Sequence, residues 1–254
     1  MAEPRIVTAA VLIVGNEILS GRTQDVNLAY LAKRLNELGI RLREARVVAD
    51  VEADIVAAVN ACRARYDYVF TTGGIGPTHD DITAECVAKA FGLPLIRNPE
   101  AVARLERHYE AGMLNEARLR MANTPEGATL IDNPVSIAPG FQIGNVIVFA
   151  GVPRIMQAMF DGIAGRLVGG APVLSRTVSA AVAEGAIAAG LGDLQRRYPS
   201  LDIGSYPYFR QGRFGASFVL RGTEQAQIDA AAMELRALIT ELGGDPLEGD
   251  ATAR

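Results

Sequence analysis

The stretch TTGGIGPTHDDIT, residues 71–83, decides how this 254-residue chain is interpreted. An apolar run, DYVFTTGG (67–74), leads into it and predicts a buried strand, while ITAECVAKAFG (82–92) follows with a helical pattern. Glycines between a strand and a helix let a ligand approach the main chain, whose N–H groups can hold an anion. The sequence therefore predicts a phosphate-binding turn. Its predicted contacts, three glycines and two hydroxyl donors, are Gly73, Gly74, Gly76, Thr72 and Thr78.

Two carboxylates, Asp80 and Asp81, stand next to this turn. Beside a bound phosphate they would repel the ligand unless a divalent cation bridged them, and hard cations prefer carboxylate and phosphate oxygens. This predicts a metal site at Asp80 and Asp81. The alternative is that one aspartate caps the following helix while the other is solvated, because Asp is a favoured N-cap residue. Spacing alone leaves both interpretations open.

A further carboxylate, Asp50, ends the second predicted strand, REARVVAD (43–50). Open α/β sheets bind ligands beyond the carboxyl ends of their strands, so Asp50 and the glycine turn are expected at the same edge. Asp50 could complete a metal shell, or it could cap the helix that begins near Glu52. Spacing alone favours the capping role.

Two more turns are expected at this edge of the sheet. The first βα loop, GNEILSGRTQDVN (15–27), carries many polar groups, and a glycine after a later predicted strand precedes a helix that begins with proline. The candidate ligand contacts in these turns are Gly15, Glu17, Ser20, Gly151 and Pro153. The alternatives are a solvated loop and simple helix initiation. Within the first loop, Asp25 could cap the amphipathic helix NLAYLAKRLNELG (27–39).

Short β-branched runs alternate with helical patterns over the first two thirds of the chain, which predicts βα units, a mostly parallel sheet and helices on both of its faces. Residues 98–122 lack a strand pattern and are predicted to form a helical excursion, a candidate oligomer interface. After GGAP (169–172) the order becomes strand, helix, strand, strand, helix. We therefore expect an α/β domain over residues 5–170 and a small α+β subdomain over residues 171–254.

Composition restricts the class of partner. The chain is 49% hydrophobic and 21% charged, which suits a packed core, and its net charge of -4 with scattered basic residues argues against nucleic acid or an anionic membrane as partner. The apolar run near the N-terminus is too short to span a membrane. Cys62 and Cys86 lack metal-ligand spacing and are expected to be core thiols in a reducing cytoplasm. His79 is a candidate ligand contact, whereas His108 is expected to be solvated.

Together the motifs resemble the MoaB/Mog molybdopterin-binding domain, in the form found in the N-terminal part of the competence/damage-inducible protein A (CinA) family. The motifs that carry the resemblance are GNEILSGRTQDVNLAYLAKRLNELG (15–39), TTGGIGPTHDDIT (71–83), MANTPEGATLIDNP (121–134), APGF (138–141) and GVPRIM (151–156). The resemblance implies a three-layer α/β/α sandwich that binds a pterin or nucleotide phosphate at the glycine turn. It also implies that Asp81 and Asp50 are the catalytic, metal-directing carboxylates, and that the family's Pro-Gly turn corresponds to residues 151–153.

Two activities follow from the resemblance. CinA-type N-terminal domains resemble metal-dependent pyrophosphatases that hydrolyse ADP-ribose or a related dinucleotide with Mg²⁺, Mn²⁺ or Co²⁺ and K⁺, whereas Mog-type members transfer AMP to molybdopterin in molybdenum cofactor biosynthesis. The additional subdomain and the segment PTHDD (77–81) depart from the compact Mog enzymes and favour the pyrophosphatase. A pterin- or nucleotide-binding module without chemistry is the third hypothesis. The C-terminal deamidase domain of CinA proteins is expected to be absent, and the protein is expected to form a homo-oligomer.

Overall fold

The computed structural model describes residues 6–210 and 212–250. The chain forms two compact units that join at Ala171 and Pro172. The first unit has hydrophobic cores on both faces of a large sheet, and the second unit has a core of its own. No helix in the described ranges is long and apolar enough to cross a membrane.

The first unit is built around a six-stranded sheet. Its elements, in chain order, are β1 (Val7–Val14), α1 (Asn16–Leu19), α2 (Asn27–Glu37), β2 (Ile40–Val48), α3 (Glu52–Arg65), β3 (Tyr68–Thr72), α4 (Thr83–Phe91), β4 (Leu95–Arg97), α5 (Pro99–His108), α6 (Glu116–Leu119), a 3-10 turn (Arg120–Ala122), β5 (Asn123–Pro125), β6 (Thr129–Ile131), β7 (Gly140–Ile143), β8 (Val146–Phe149) and α7 (Pro153–Ala164). The strand order is β2-β1-β3-β8-β7-β6. The first four of these strands are parallel, β7 runs in the opposite direction, and β6 runs in the direction of the first four again, so the predicted mostly parallel sheet is confirmed.

The strand β1 separates two hydrophobic cores. Val11 and Ile13 belong to the core that includes α2 and α7, whereas Leu12 and Val14 belong to the core that includes α3 and α4. Side chains alternate between the faces of a strand, so a strand that is apolar at almost every position needs helices on both sides. The three-layer α/β/α arrangement is thereby confirmed.

The helix α2 shows how local sequence sets these boundaries. Leu31 and Leu35 are fully buried, as their helical spacing predicts. Asp25 Oδ1 accepts the N–H of Leu28 at 2.9 Å, so Asp25 satisfies a backbone donor in the first turn of α2 as predicted, although the N-cap residue itself is Val26. Gly39, with a φ of +70°, follows the end of the helix in the left-handed conformation that glycine tolerates best.

The excursion over residues 98–122 is only partly helical. The helices α5 and α6 each begin at an asparagine, and Asn98 Oδ1 accepts the N–H groups of Glu100 and Ala101 at 3.0 and 3.1 Å. The strands β4 and β5 flank the excursion and pair as a separate antiparallel sheet. The sequence pattern does not predict these two strands, because three residues are too few to show a periodicity.

The second unit has a four-stranded antiparallel sheet with two helices. Its elements are β9 (Leu174–Ala180), α8 (Glu184–Arg197), β10 (Asp202–Arg210), β11 (Arg213–Gly222), α9 (Gln225–Glu241) and β12 (Leu247–Glu248), and the strand order is β10-β11-β9-β12. The predicted α+β order of strand, helix, strand, strand, helix is confirmed. The sequence pattern does not predict β12, a two-residue strand beyond the last helix.

Candidate functional site

A cavity of about 520 Å³ lies in the first unit, at the carboxyl ends of its parallel strands. The residues that follow β1, β2, β3 and β8 all contribute to it, because parallel strands bring their following loops to one edge of the sheet. Most of the predicted site residues line this cavity, namely Gly15, Glu17, Asp50, Gly73, Gly74, Gly76, Thr78, Asp80, Asp81, Gly151 and Pro153.

Two predicted contacts lie elsewhere. Thr72, the last residue of β3, is 1% exposed, and its Oγ1 has no hydrogen-bond partner among the residues that the structure describes. Ser20 lies just after α1, is exposed, and donates its hydroxyl to the carbonyl of Glu17 at 3.2 Å. Neither residue lines the cavity. The hydroxyl that the glycine stretch does bring to the cavity wall is that of Thr78.

The glycine turn is closely packed against the strand ends. Gly73 has a φ of +100° and donates its N–H to the carbonyl of Phe149 at 3.1 Å, and a Cβ at Gly73 would lie 2.2 Å from the carbonyl oxygen of Val14. Gly74 has a φ of +69°, and a Cβ there would lie 2.2 Å from Thr83 Oγ1. Both positions therefore require glycine, for conformation and for space.

Three consecutive backbone donors of this turn are available to a ligand. The N–H groups of Gly74, Ile75 and Gly76 make no hydrogen bond within residues 6–210 and 212–250, and all three residues line the cavity. Successive N–H groups in a turn form a concave binding site for anions. The turn can therefore hold phosphate oxygens without a basic side chain.

Asp81 holds the end of the turn rather than capping α4. Its Oδ2 accepts the N–H and the hydroxyl of Thr78 at 2.8 and 2.5 Å. The N-cap residue of α4 is Ile82, and no side chain caps that helix, so the helix-capping interpretation of Asp80 and Asp81 is wrong.

Asp50 makes a long-range hydrogen bond. Its Oδ2 accepts the N–H of Asn16 at 2.8 Å, which ties the end of β2 to the start of α1. The N-cap residue of α3 is Val51, without a side-chain cap bond, so the capping interpretation of Asp50 is also wrong. Asp50 and Asp81 both line the cavity.

Asn27 positions the turn at Gly151. It is 3% exposed, and its Nδ2 donates to the carbonyl of Gly151 at 2.8 Å. A Cβ at Gly151 would lie 3.2 Å from the Cα of Gly73, so the two glycine-bearing turns are in close contact. This role of Asn27 was not predicted from the sequence. A signal was present, because Asn27 precedes the buried Leu31 and Leu35 at intervals of four residues and is therefore a polar residue on a buried helix face.

A second part of the wall was not predicted as a ligand contact, although most of it lies in motifs that carry the family resemblance. It consists of Met121, Asn133, Ser136 and Ala138, which lie before β5 and between β6 and β7. His79, in contrast, has a side chain that is 95% exposed and does not line the cavity. The two cysteines are buried as predicted, and burial raises the pKa of the Cys86 thiol to about 11.

The charge of the cavity wall is negative. Four carboxylates line it, those of Glu17, Asp50, Asp80 and Asp81, and no Lys, Arg or His is among the lining residues. In the described part of the chain, no group of three or more His, Cys, Asp or Glu side chains is placed to hold a metal ion. Mg²⁺ commonly takes only one or two carboxylates and completes its shell with water and phosphate oxygens. The wall therefore fits a hard cation that protein and ligand hold together, and the metal site at Asp50, Asp80 and Asp81 stays a prediction.

Comparisons with known proteins cover both units. The family described as "Probable molybdopterin binding domain" matches residues 10–169, and the family described as "FAD synthase, middle domain" matches residues 172–243. A protein of Pyrobaculum calidifontis is 38% identical over 211 residues, which is 79% of this chain and 80% of that one.

Two further comparisons, with one relative and one solved structure, concern proteins named as a FAD synthase and as CinA. The "Probable FAD synthase" of Caenorhabditis briggsae is 30% identical over 261 residues, and the match covers 91% of this chain but only 49% of that protein. The crystal structure of CinA from Thermoplasma acidophilum superposes with a TM-score of 0.60 and 36% identity, over 63% of this chain and 98% of that one.

Proposed function

The chain belongs to the molybdopterin-binding domain family through residues 10–169, and on this basis we propose that its first unit is a metal-dependent pyrophosphatase acting on ADP-ribose or a related dinucleotide. One observation carries the proposal. Three backbone N–H groups without partners in the described ranges share one cavity with Asp50 and Asp81. Donors and carboxylates in one cavity suit a phosphate ligand together with a cation.

The chain's own groups would bind and orient the pyrophosphate. The N–H groups of Gly74, Ile75 and Gly76 would donate hydrogen bonds to the oxygens of one phosphate, and Asp81 would keep the turn closed through Thr78. A divalent cation held by Asp50 and Asp81 would neutralise charge on the phosphate oxygens. Attack of water on one phosphorus, with cleavage of the bridging P–O bond, would release AMP and a second monophosphate.

The similarity to a FAD synthase supports FAD as a second substrate to test. The match to the "Probable FAD synthase" extends over both units, and FAD, like ADP-ribose, joins AMP to its other half through a P–O–P bond. The same groups would cleave both dinucleotides, because the glycine turn would bind the pyrophosphate group that they share.

Molybdopterin adenylyltransferase is the second candidate. The description of the matching family favours it, since that description names molybdopterin as the ligand. The same turn would then hold the phosphate of the pterin or of the nucleotide, and the reaction would join AMP to molybdopterin with release of pyrophosphate.

The test is turnover by the purified full chain. ADP-ribose, FAD, and ATP with molybdopterin would each be supplied with Mg²⁺, Mn²⁺ or Co²⁺ in the presence of K⁺. Release of AMP from a dinucleotide would support the pyrophosphatase, and an adenylylated pterin would support the transferase. If a ligand raised the melting temperature but no combination turned over, the protein would be a binding module and the enzyme proposal would be wrong.

Replacing Asp81 tests the carboxylate directly. Asp81→Asn keeps an oxygen that can accept from Thr78 but removes the charge, so turnover should be abolished while the melting temperature changes little. Asp193→Asn, the same change on α8 outside the cavity, should retain wild-type activity. Full activity of Asp81→Asn would refute the proposed role.

A further inference from the structure

The segment between β6 and β7 carries backbone strain. Ile137 has a φ of +67°, and it is the one non-glycine residue with a positive φ in the ranges that the structure describes. A β-branched residue is disfavoured there because its side chain crowds the backbone. Such strain persists only where surrounding contacts hold it, and it is concentrated at ligand sites. Two neighbours of Ile137, Ser136 and Ala138, line the cavity.

Asn133 holds this conformation through all four hydrogen bonds that its amide can make. Its Oδ1 accepts the N–H groups of Val135 and Ser136 at 3.1 and 3.0 Å. Its Nδ2 donates to the carbonyl of Ala138 at 2.8 Å and to Ser136 Oγ at 2.7 Å. The side chain is buried, and the carbonyl of Asn133 also accepts the N–H of Ile137 at 3.0 Å.

These partners fix the orientation of the amide and of the hydroxyl beside it. The carbonyl of Ala138 can only accept and the two backbone N–H groups can only donate, so Nδ2 and Oδ1 of Asn133 cannot be exchanged. An amide NH₂ only donates, and Ser136 Oγ is therefore the acceptor in its bond with Asn133. Its own hydrogen points elsewhere. Within the described residues the Ser136 hydroxyl donates to no acceptor.

The other hydroxyl expected at the phosphate is already engaged. Thr78 donates its hydroxyl to Asp81 at 2.5 Å, which leaves it no hydrogen for a ligand. Ser136 lines the same cavity, and its hydroxyl hydrogen is not used in a hydrogen bond to any described residue. A wall without basic side chains depends on neutral donors to bind an anion.

We propose that Ser136 is a ligand-binding residue that donates its hydroxyl hydrogen to a phosphate oxygen of the substrate, and that Asn133 is its positioning residue. The proposal rests on the proposed function of the cavity, because it assigns the ligand oxygen to a pyrophosphate group. Ser136 would then take the donor role that the sequence predicts for Thr78.

Binding by the full chain tests the role of Ser136. Titration calorimetry with ADP-ribose, FAD and inorganic pyrophosphate, each with Mg²⁺, would compare wild type with Ser136→Ala. Loss of a hydrogen bond to a charged oxygen should weaken binding about ten-fold to hundred-fold. Ser136→Thr keeps the hydroxyl and should bind like wild type, as should Ser175→Ala, which makes the same change at an exposed serine of the second unit.

The outcomes separate this proposal from the pyrophosphatase itself. If wild type turns over a dinucleotide and Ser136→Ala binds it as tightly as wild type, the role of Ser136 is refuted and the enzyme stands. If wild type binds pyrophosphate but turns over no dinucleotide, and Ser136→Ala weakens the binding of pyrophosphate, the pyrophosphatase proposal is refuted and the role of Ser136 stands. If wild type binds none of the three probes, both fall.

A double-mutant cycle tests the positioning role of Asn133. Asn133→Asp replaces the donor pair with acceptors, so Ser136 would donate its hydrogen to the new carboxylate instead of the ligand. If Asn133 acts through Ser136, adding Asn133→Asp to Ser136→Ala should weaken binding little further. Additive losses would overturn the positioning role, because a merely structural effect of Asn133 would not depend on the hydroxyl.

Discussion

Gly73 is the point at which the glycine turn and the end of β1 approach most closely, and Gly73→Ala tests that geometry. An alanine would have to adopt a φ of +100°, and its Cβ would lie 2.2 Å from the carbonyl oxygen of Val14, a backbone atom that no rotamer change can move. The positive φ costs roughly 1–2 kcal/mol, and overpacking costs roughly 1–3 kcal/mol. We expect Gly73→Ala to lower the free energy of unfolding of the first unit by about 2–5 kcal/mol.

Gly92→Ala provides the matched control. Gly92 follows α4 with a φ of +65°, but a Cβ there would have no atom within 4 Å, so only the conformational cost of roughly 1–2 kcal/mol applies. The chain has no tryptophan, and urea unfolding would be followed by far-ultraviolet circular dichroism. Equal losses of stability in Gly73→Ala and Gly92→Ala would refute the close approach of Val14.

The remaining predictions concern a buried thiol and the strained segment. Burial raises the pKa of Cys86 from 9.0 to about 11, so Cys86 should resist thiol reagents at pH 8 in the native protein and react on unfolding, and rapid native labelling would contradict its burial. The pKa of Cys86 is higher in the folded state than in the unfolded state, so the protonated thiol contributes stability that is fully present below pH 9. This contribution is lost as the pH rises toward about 11. Cys86→Ala should therefore lack this part of the pH dependence of urea unfolding. Ile137→Gly should change the free energy of unfolding by less than about 1 kcal/mol, because relief of roughly 1–2 kcal/mol of strain offsets the loss of a half-buried side chain and the greater freedom of glycine in the unfolded chain. A loss of more than about 3 kcal/mol would mean that the backbone at Ile137 is not strained.

The sequence could predict which edge of the sheet carries the cavity, because the topology of a parallel sheet brings the loops after its strands to one edge. Once the alternating pattern indicates parallel strands, the residues after each strand must meet at one edge, and Gly73, Asp50 and Gly151 do so. Ser136 could not be placed in this way, although it follows β6, which runs in the direction of the parallel strands. The sequence does not show that direction, because β6 lies at the edge of the sheet and pairs with β7, which runs the opposite way.

The capping interpretations of Asp50 and Asp81 failed because they considered only the helix that follows each aspartate. An aspartate before a helix is statistically a cap, but Asp50 finds the N–H of Asn16, 34 residues earlier in the chain. Asp81 accepts from a residue three positions before it rather than from the helix that follows. A long-range hydrogen bond such as that between Asp50 and Asn16 depends on the tertiary structure, which the periodicity of the sequence does not reveal.

Amide hydrogen exchange should differ sharply around the cavity because of β1. Its backbone pairs with β2 on one side and β3 on the other, and its side chains join two cores, so its amides can open only when the whole unit unfolds. The connection between β6 and β7 has no such double support and can open locally. A ligand spanning both walls would therefore slow exchange most strongly in that connection, while β1, already protected to the limit of global stability, would report mainly the overall stabilisation by the ligand.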